Sequence, residues 1–200
     1  EHPIKKKEEQ NMVTRITYVA TLFLVFICLL AMASCSTKGS KLVLEGDRYT
    51  NSKKFDMAVD SYTKAIVKNP KDTDAYAGRG WAYHMLGSED KCIEDYSIAI
   101  NINPNVGWFF GNRGICYRSK KNYPQAISDL SQGINIEPKN RALYFQRGWI
   151  YFKSNENQKC IEDYSEALKL NQSDHVSLYY RGLCYLNSNN FKEANQDLTQ

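Results

Sequence analysis

Residues 79–104 read RGWAYHMLGSEDKCIEDYSIAININP, and residues 147–172 read RGWIYFKSNENQKCIEDYSEALKLNQ. The two stretches lie 68 residues apart and keep the same order of glycine, aromatic, cysteine and acidic positions. Apolar residues in both recur at spacings of three and four, which is typical of amphipathic helices. A segment that returns at a fixed interval predicts a repeat architecture, in which each copy is one small structural unit.

The basic interval of the chain is 34 residues. Glycine, tyrosine, a small residue and proline recur at this interval, each in its own register. The registers are Gly46, Gly80, Gly114, Gly148 and Gly182; Tyr49, Tyr83, Tyr117, Tyr151 and Tyr185; Ala58, Cys92, Ala126, Cys160 and Ala194; and Pro70, Pro104 and Pro138. This pattern indicates two short helices per unit, A and B. The glycine and the small residue allow A and B to approach closely, and the proline ends helix B.

These registers resemble the signature of the tetratricopeptide repeat. The resemblance implies an all-α fold, a right-handed superhelical solenoid of antiparallel helix pairs over residues 41–200. One helix pair cannot bury its apolar face alone, so neighbouring pairs must stack. We place the repeats at residues 39–72, 73–106, 107–140, 141–174 and 175–200, the last of them incomplete.

The first forty residues have a different character. Residues 16–33 carry no charge, and their length lies between that of a signal-peptide core and that of a membrane-spanning helix. The following Met32-Ala33-Ser34-Cys35 resembles the lipobox of a bacterial lipoprotein signal, although Met32 stands where leucine is usual. We expect residues 1–35 to be an extension and signal with Cys35 lipidated, and residues 36–40 to be a tether. An uncleaved anchor helix and a plain signal peptide are the alternatives.

Composition argues against catalysis and against nucleic acid binding. The net charge of +4 at pH 7 is too mild to indicate a nucleic acid partner. The only histidines are His2, His84 and His175, which leaves little material for zinc binding or histidine-based catalysis. Nucleophile-elbow, phosphate-loop and HExxH motifs are missing from the sequence. We therefore expect no enzyme activity, no cofactor and no metal site.

Four cysteines of the repeats occupy two registers. Cys92 and Cys160 take the small position of helix B, whereas Cys116 and Cys184 precede the tyrosine of helix A. Members of one register should lie on the order of 20 Å apart, beyond the disulfide reach of about 4.4–6.8 Å. No CxxC motif is present. We expect four free and largely buried thiols.

An arginine precedes the glycine of repeats two to five, and an aspartate follows that arginine by sixteen residues. The resulting pairs are Arg79 with Asp95, Arg113 with Asp129, Arg147 with Asp163, and Arg181 with Asp197. The guanidinium fork suits a carboxylate, so we interpret these as structural ion pairs, within a repeat or between neighbours. The alternative is a ladder of arginines that binds phosphate or an acidic peptide.

The tetratricopeptide resemblance implies a concave face lined by the A helices. The expected partner-binding residues on this face are Trp81, His84, Trp108, Arg118, Phe145, Trp149, Phe152 and Tyr179. They should form a groove that grades from mixed polar to apolar and aromatic. The alternative is that they pack on adjacent A helices and expose little. The Lys/Asn clamp of chaperone-binding relatives is missing, because its asparagine position holds Trp81, Ile115 and Trp149. We expect no recognition of acidic C-terminal tails.

The resulting functional expectation is a non-enzymatic protein–protein interaction scaffold that binds a peptide or helix in its concave groove. A lipid anchor or N-terminal helix would tether it to a membrane, at the periplasmic face or outer membrane of a Gram-negative-type bacterium. A role in envelope assembly or secretion fits this placement. Two alternatives are a surface-exposed lipoprotein that binds external ligands, and an accessory domain of a longer chain, since the sequence stops inside the fifth repeat.

Overall fold

A computed structural model describes residues 41–199 of the chain, and these residues form helices and turns without a strand. The first helix, α1, covers residues 41–51. The helices that follow are α2 (Phe55–Lys68), α3 (Thr73–Met85), α4 (Glu89–Ile102), α5 (Gly107–Ser119), α6 (Tyr123–Ile136), α7 (Arg141–Lys153), α8 (Asn157–Leu170), α9 (His175–Asn187) and α10 (Phe191–Leu198). The described part of each predicted repeat therefore holds one pair of helices.

The helix pairs stack into a solenoid. From α2 onward each helix packs against the next in the chain. In addition α3 contacts α5, α5 contacts α7, and α7 contacts α9, so the A helices line one face of the stack. The all-helical repeat architecture predicted from the 34-residue interval is thus confirmed for residues 41–199.

The ends of the B helices follow the proline register. Helix α2 ends at Lys68 and α4 at Ile102, in each case two residues before the proline of the repeat. Helix α8 ends at the equivalent residue, Leu170, although Gln172 replaces the proline there. The extended conformation of Asn171 is enough to end that helix, so the turn survives without the fixed φ of proline.

The core of each repeat is built on a large residue of helix B. Tyr62, the first of these, is almost completely buried, and its ring lies between glycines of two successive A helices. A Cβ atom on Gly78 would lie 2.5 Å from Tyr62 Cζ, and one on Gly46 would lie 2.6 Å from Tyr62 Cε1. The Tyr62 hydroxyl donates to Asp47 Oδ1 at 2.7 Å. Only glycine permits the helices to approach the ring this closely.

The four cysteines form two disulfides, Cys92–Cys116 and Cys160–Cys184, each with a Cα–Cα distance of 6.3 Å. The prediction of four free thiols is therefore wrong, although the expected burial is right. That prediction considered only cysteines of the same register, two repeats apart. The bonds instead join the two registers, because helix B of one repeat packs directly against helix A of the next.

The predicted signal over residues 1–35, the lipidation site Cys35 and the tether 36–40 lie outside the described residues and stay predictions. Within residues 41–199, no helix combines the length and the apolar character needed to cross a bilayer.

Candidate functional site

The eight predicted groove residues all lie on A helices. Trp81 and His84 are on α3, Trp108 and Arg118 on α5, Phe145, Trp149 and Phe152 on α7, and Tyr179 on α9. Trp108 and Tyr179 are exposed, by 40% and 52% of their surface, whereas the others are half-buried. Much of this aromatic surface therefore packs against its neighbours, and what remains open is concentrated in two cavities.

The first opening, here called the N-terminal cavity, has a volume of about 360 Å³ and lies between α1, α2, α3, α4 and α5. Trp81 and Trp108 supply its aromatic wall. Asp47 and Asp74 supply its charge, and Asn112 adds an amide. No lysine or arginine lines this cavity, so its field favours a cationic or hydrogen-bond-donating guest.

The second opening, here called the C-terminal cavity, has a volume of about 530 Å³. It is lined by Arg118, Ser119, Lys121, Tyr123, Phe145, Trp149, Val176 and Tyr180. Two cations and no carboxylate face it, in contrast to the N-terminal cavity. The groove thus carries opposite charges at its two ends, a feature that the predicted gradient from polar to aromatic did not include.

Arg118 is the central charge of the C-terminal cavity. Its guanidinium carbon lies 5.0 Å from the centroid of the Trp149 ring, and it donates a hydrogen bond to Gln146 Oε1. Burial lowers the pKa of Arg118, yet the side chain stays protonated at neutral pH because its ordinary pKa is far higher. Lys153 Nζ lies 5.5 Å from the same Trp149 ring. No carboxylate of residues 41–199 forms an ion pair with Arg118, so its charge is available to a ligand.

The aromatic floor of this region is a cluster of rings. Phe145 meets Tyr164 edge-to-face at 5.5 Å between centroids, and Tyr164 stacks on Tyr180 at 5.7 Å. Burial raises the pKa of Tyr164, and its hydroxyl finds no hydrogen-bond partner among residues 41–199. The equivalent Tyr96 meets the amide of Asn112. Tyr180 takes the position of that asparagine 68 residues later, which removes the polar partner and supplies a ring instead.

The remaining groove residues lie beside the cavities rather than in them. Phe152 packs edge-to-face on Tyr180 at 5.5 Å between centroids, and Tyr179 does so at the same distance. The His84 ring lies 5.2 Å from that of Trp81, and its Nδ1 is 2.9 Å from Glu89 Oε2.

The four arginine–aspartate pairs form within their repeats. Arg79 holds Asp95 with two hydrogen bonds, Nε to Oδ2 at 2.8 Å and Nη2 to Oδ1 at 2.7 Å. Its remaining Nη1 donates to Thr63 Oγ1, on helix B of the preceding repeat, at 3.1 Å. The same arrangement joins Arg113 to Asp129 and Ser97, Arg147 to Asp163 and Ser131, and Arg181 to Asp197 and Ser165.

Because these guanidinium groups are committed to carboxylates and hydroxyls, the ladder joins helices instead of facing the groove. The hydroxyl partners were missed in the sequence, although Thr63, Ser97, Ser131 and Ser165 recur at the 34-residue interval. Lys121, Tyr123 and Tyr180 were also missed as lining residues of the C-terminal cavity. Lys121 stands in the register of Gly87, in the turn between helices A and B, and that register was the available signal.

Three family models for the tetratricopeptide repeat match the chain, over residues 46–87, 73–106 and 142–174. The chain therefore contains tetratricopeptide repeats, and with its stacked helix pairs it has the architecture of a tetratricopeptide solenoid.

Solved structures show the same fold. PilF of Pseudomonas aeruginosa superposes with a TM-score of 0.75 at 16% identity, over 82% of this chain and 75% of that one. MamA from Desulfovibrio magneticus RS-1, residues 41 to the end, gives 0.73 at 17% identity, over 81% and 92%. YrrB, described as a protein with an unusual peptide-binding site, gives 0.64 at 16% identity, over 79% and 81%. No curated protein sequence matches the chain.

Proposed function

We propose that this protein is a non-enzymatic scaffold that binds a peptide or helix of another protein along the face lined by its A helices. The observation that carries the proposal is the C-terminal cavity, where aromatic walls surround an arginine without a carboxylate partner. Large apolar openings of this kind mark contact sites, and tryptophan, tyrosine and arginine are the side chains that anchor protein interfaces most often.

The charges of the groove define the ligand further. Arg118 and Lys121 favour an acidic side chain of the partner, placed beside an apolar or aromatic residue that contacts Phe145 and Trp149. Asp47 and Asp74 favour a basic residue at the other end of the segment. The peptide-binding site named for YrrB, a protein of the same fold, supports binding by this class of architecture.

The tether and the compartment are part of the proposal. Lipidation at Cys35 would hold the solenoid at the periplasmic face or outer membrane of a Gram-negative-type bacterium, in envelope assembly or secretion. The two disulfides support an oxidising compartment. Replacing Cys35 with alanine should abolish incorporation of labelled palmitate, and a wild-type chain that takes up no label in its own host would contradict the lipid anchor.

The groove is tested with an arrayed library of peptides applied to the wild-type chain and to variants. Phe145→Ala and Trp149→Ala should each weaken binding of the selected peptides at least tenfold, since interface anchors of this kind contribute about 2 kcal/mol or more. Arg118→Gln should reduce the preference for acidic peptides. Val67→Ala is the matched control, because Val67 is an exposed apolar residue of α2 that lines neither cavity. Selection of the same peptides with equal affinity by the Phe145 and Trp149 variants would contradict the proposal.

A further inference from the structure

Three metal-binding side chains converge where α3, α4 and α5 meet. His84 is in the last turn of α3, Glu89 is the first residue of α4, and Cys116 lies near the end of α5. One ligand atom of each residue lies within 4.8 Å of the other two, and His84 Nδ1 is 2.9 Å from Glu89 Oε2. Cys116 is buried, and the other two side chains are half-buried. The group is therefore shielded from solvent on the thiol side and open on the other.

The donor set matches the chemistry of zinc. Imidazole nitrogen, carboxylate oxygen and thiolate sulfur bind Zn²⁺ at about 2.0–2.3 Å, and tetrahedral geometry then separates ligand atoms by about 3.3–3.8 Å. The three atoms are close to that spacing already. A carboxylate and a thiolate together neutralise the two positive charges of the ion, and the neutral imidazole adds no repulsion.

The Cys92–Cys116 disulfide controls access to this site, because a sulfur in a disulfide is not a thiolate ligand. We propose that His84, Glu89 and Cys116 bind one Zn²⁺ ion when this disulfide is reduced. A dithiol reductant transfers two hydrogens and two electrons to the Cys92 and Cys116 sulfurs and becomes a disulfide itself. Zinc then displaces the proton of the Cys116 thiol. The fourth position is open to Cys92, freed in the same step, or to water.

The second disulfide provides an internal control. Cys160 and Cys184 occupy the same registers 68 residues later, with the same Cα–Cα distance of 6.3 Å as the first pair. The positions that correspond to His84 and Glu89 hold Phe152 and Asn157, and neither a phenyl ring nor a neutral amide replaces an imidazole and a carboxylate as a zinc ligand. The reduced chain therefore binds one equivalent of zinc and not two.

The disulfide and the metal exclude each other, yet both connect repeat two to repeat three. The disulfide joins α4 to α5, and the zinc ion joins α3 and α4 to α5. The junction of these repeats thus has an oxidised and a metal-bound form. This inference does not depend on the proposed groove function, and either can fail alone.

The test uses the full chain, reduced with dithiothreitol, freed of reductant under anaerobic conditions and titrated with Co²⁺ and then Zn²⁺. We expect one equivalent of Co²⁺ with a thiolate-to-metal charge-transfer band, displaced by Zn²⁺, and no such band in the oxidised chain. Zinc should protect Cys116 from alkylation, mapped by mass spectrometry, while Cys184 stays reactive after unfolding-limited exposure. A reduced chain without tight Co²⁺ or Zn²⁺ binding would overturn the inference.

The variants use residues that the second half of the duplication already tolerates. His84→Phe and Glu89→Asn should each weaken zinc binding at least tenfold, since loss even of a residue that only orients a ligand costs about 10–100-fold. The Cys160→Ala/Cys184→Ala double variant should bind zinc like the wild type. Circular dichroism checks that each variant is folded. Unchanged affinity in both the His84 and Glu89 variants, or loss of binding in the double variant, would refute the site.

Discussion

Each arginine of the ladder connects three elements through one planar group. Arg147 holds both oxygens of Asp163 on its own helix B and donates to Ser131 on helix B of the preceding repeat. Asp163 is almost completely buried. A buried ion pair adds little net stability compared with apolar packing, but removal of one partner leaves the other charge without compensation. The pair therefore acts mainly as a geometric constraint on how successive repeats stack.

Asp163→Ala should lower the free energy of unfolding by about 3 kcal/mol, because Arg147 then remains partly buried without its carboxylate. The measurement is the thermal or urea unfolding transition of the full chain. Glu166→Ala is the control, because its ion pair with Lys169 is largely exposed and should contribute less than about 1 kcal/mol. Equal destabilisation by the two substitutions would show that burial of the aspartate does not matter.

At the scale of the element, the turn between helices A and B has one conformation in all five repeats. The residue with positive φ recurs at the 34-residue interval, and the five positions are Lys53, Gly87, Lys121, Asn155 and Asn189. Left-handed backbone suits glycine, is tolerated by asparagine, and is unfavourable for lysine. The stacked helices thus impose this turn even where the residue opposes it.

Gly87→Ala should lower the stability by about 1 kcal/mol, because alanine resists a φ of +73°. An added Cβ would contact nothing within 4 Å, so the cost is conformational and not steric crowding. Gly87→Asn should cost less, since Asn155 and Asn189 already adopt this conformation. The comparison of the two variants by thermal unfolding decides the matter, and a variant with asparagine as unstable as the one with alanine would contradict the explanation.

At the scale of the whole molecule, the disulfides follow the 68-residue duplication. They connect repeat two to three and repeat four to five, whereas no disulfide among residues 41–199 connects three to four. The stability of a solenoid is approximately a sum over repeats and neighbouring interfaces. Covalent links at alternate interfaces therefore divide this solenoid into reinforced pairs of repeats.

Replacing Cys160 and Cys184 with alanine should lower the stability by about 3–4 kcal/mol, from the entropy of closing a loop over a sequence separation of 24 residues. Alanine fits these sites, since other repeats carry Ala126 and Ala82 in the same registers. Hydrogen exchange should accelerate mainly in α8, α9 and α10 and much less in α3 and α4, because unfolding of repeats is local. Equal acceleration along the whole chain would contradict the division into pairs.

The sequence alone determined the features that depend on positions within one repeat. Helix number, the turn after Pro70 and the sixteen-residue spacing of Arg79 and Asp95 all follow from a periodic chain that buries one face of each helix. These features are local, so the intervals along the chain are sufficient to predict them.

Only the tertiary structure decided what lies across the boundary between repeats. The pairing of Cys92 with Cys116, the hydroxyl partner of Arg79, the position of Lys121 in the C-terminal cavity and the meeting of His84 with Cys116 all join residues of different helices. Their distances depend on how helix B of one repeat packs on helix A of the next. That packing is set by the combined shape of many side chains, and a spacing in the sequence does not contain it.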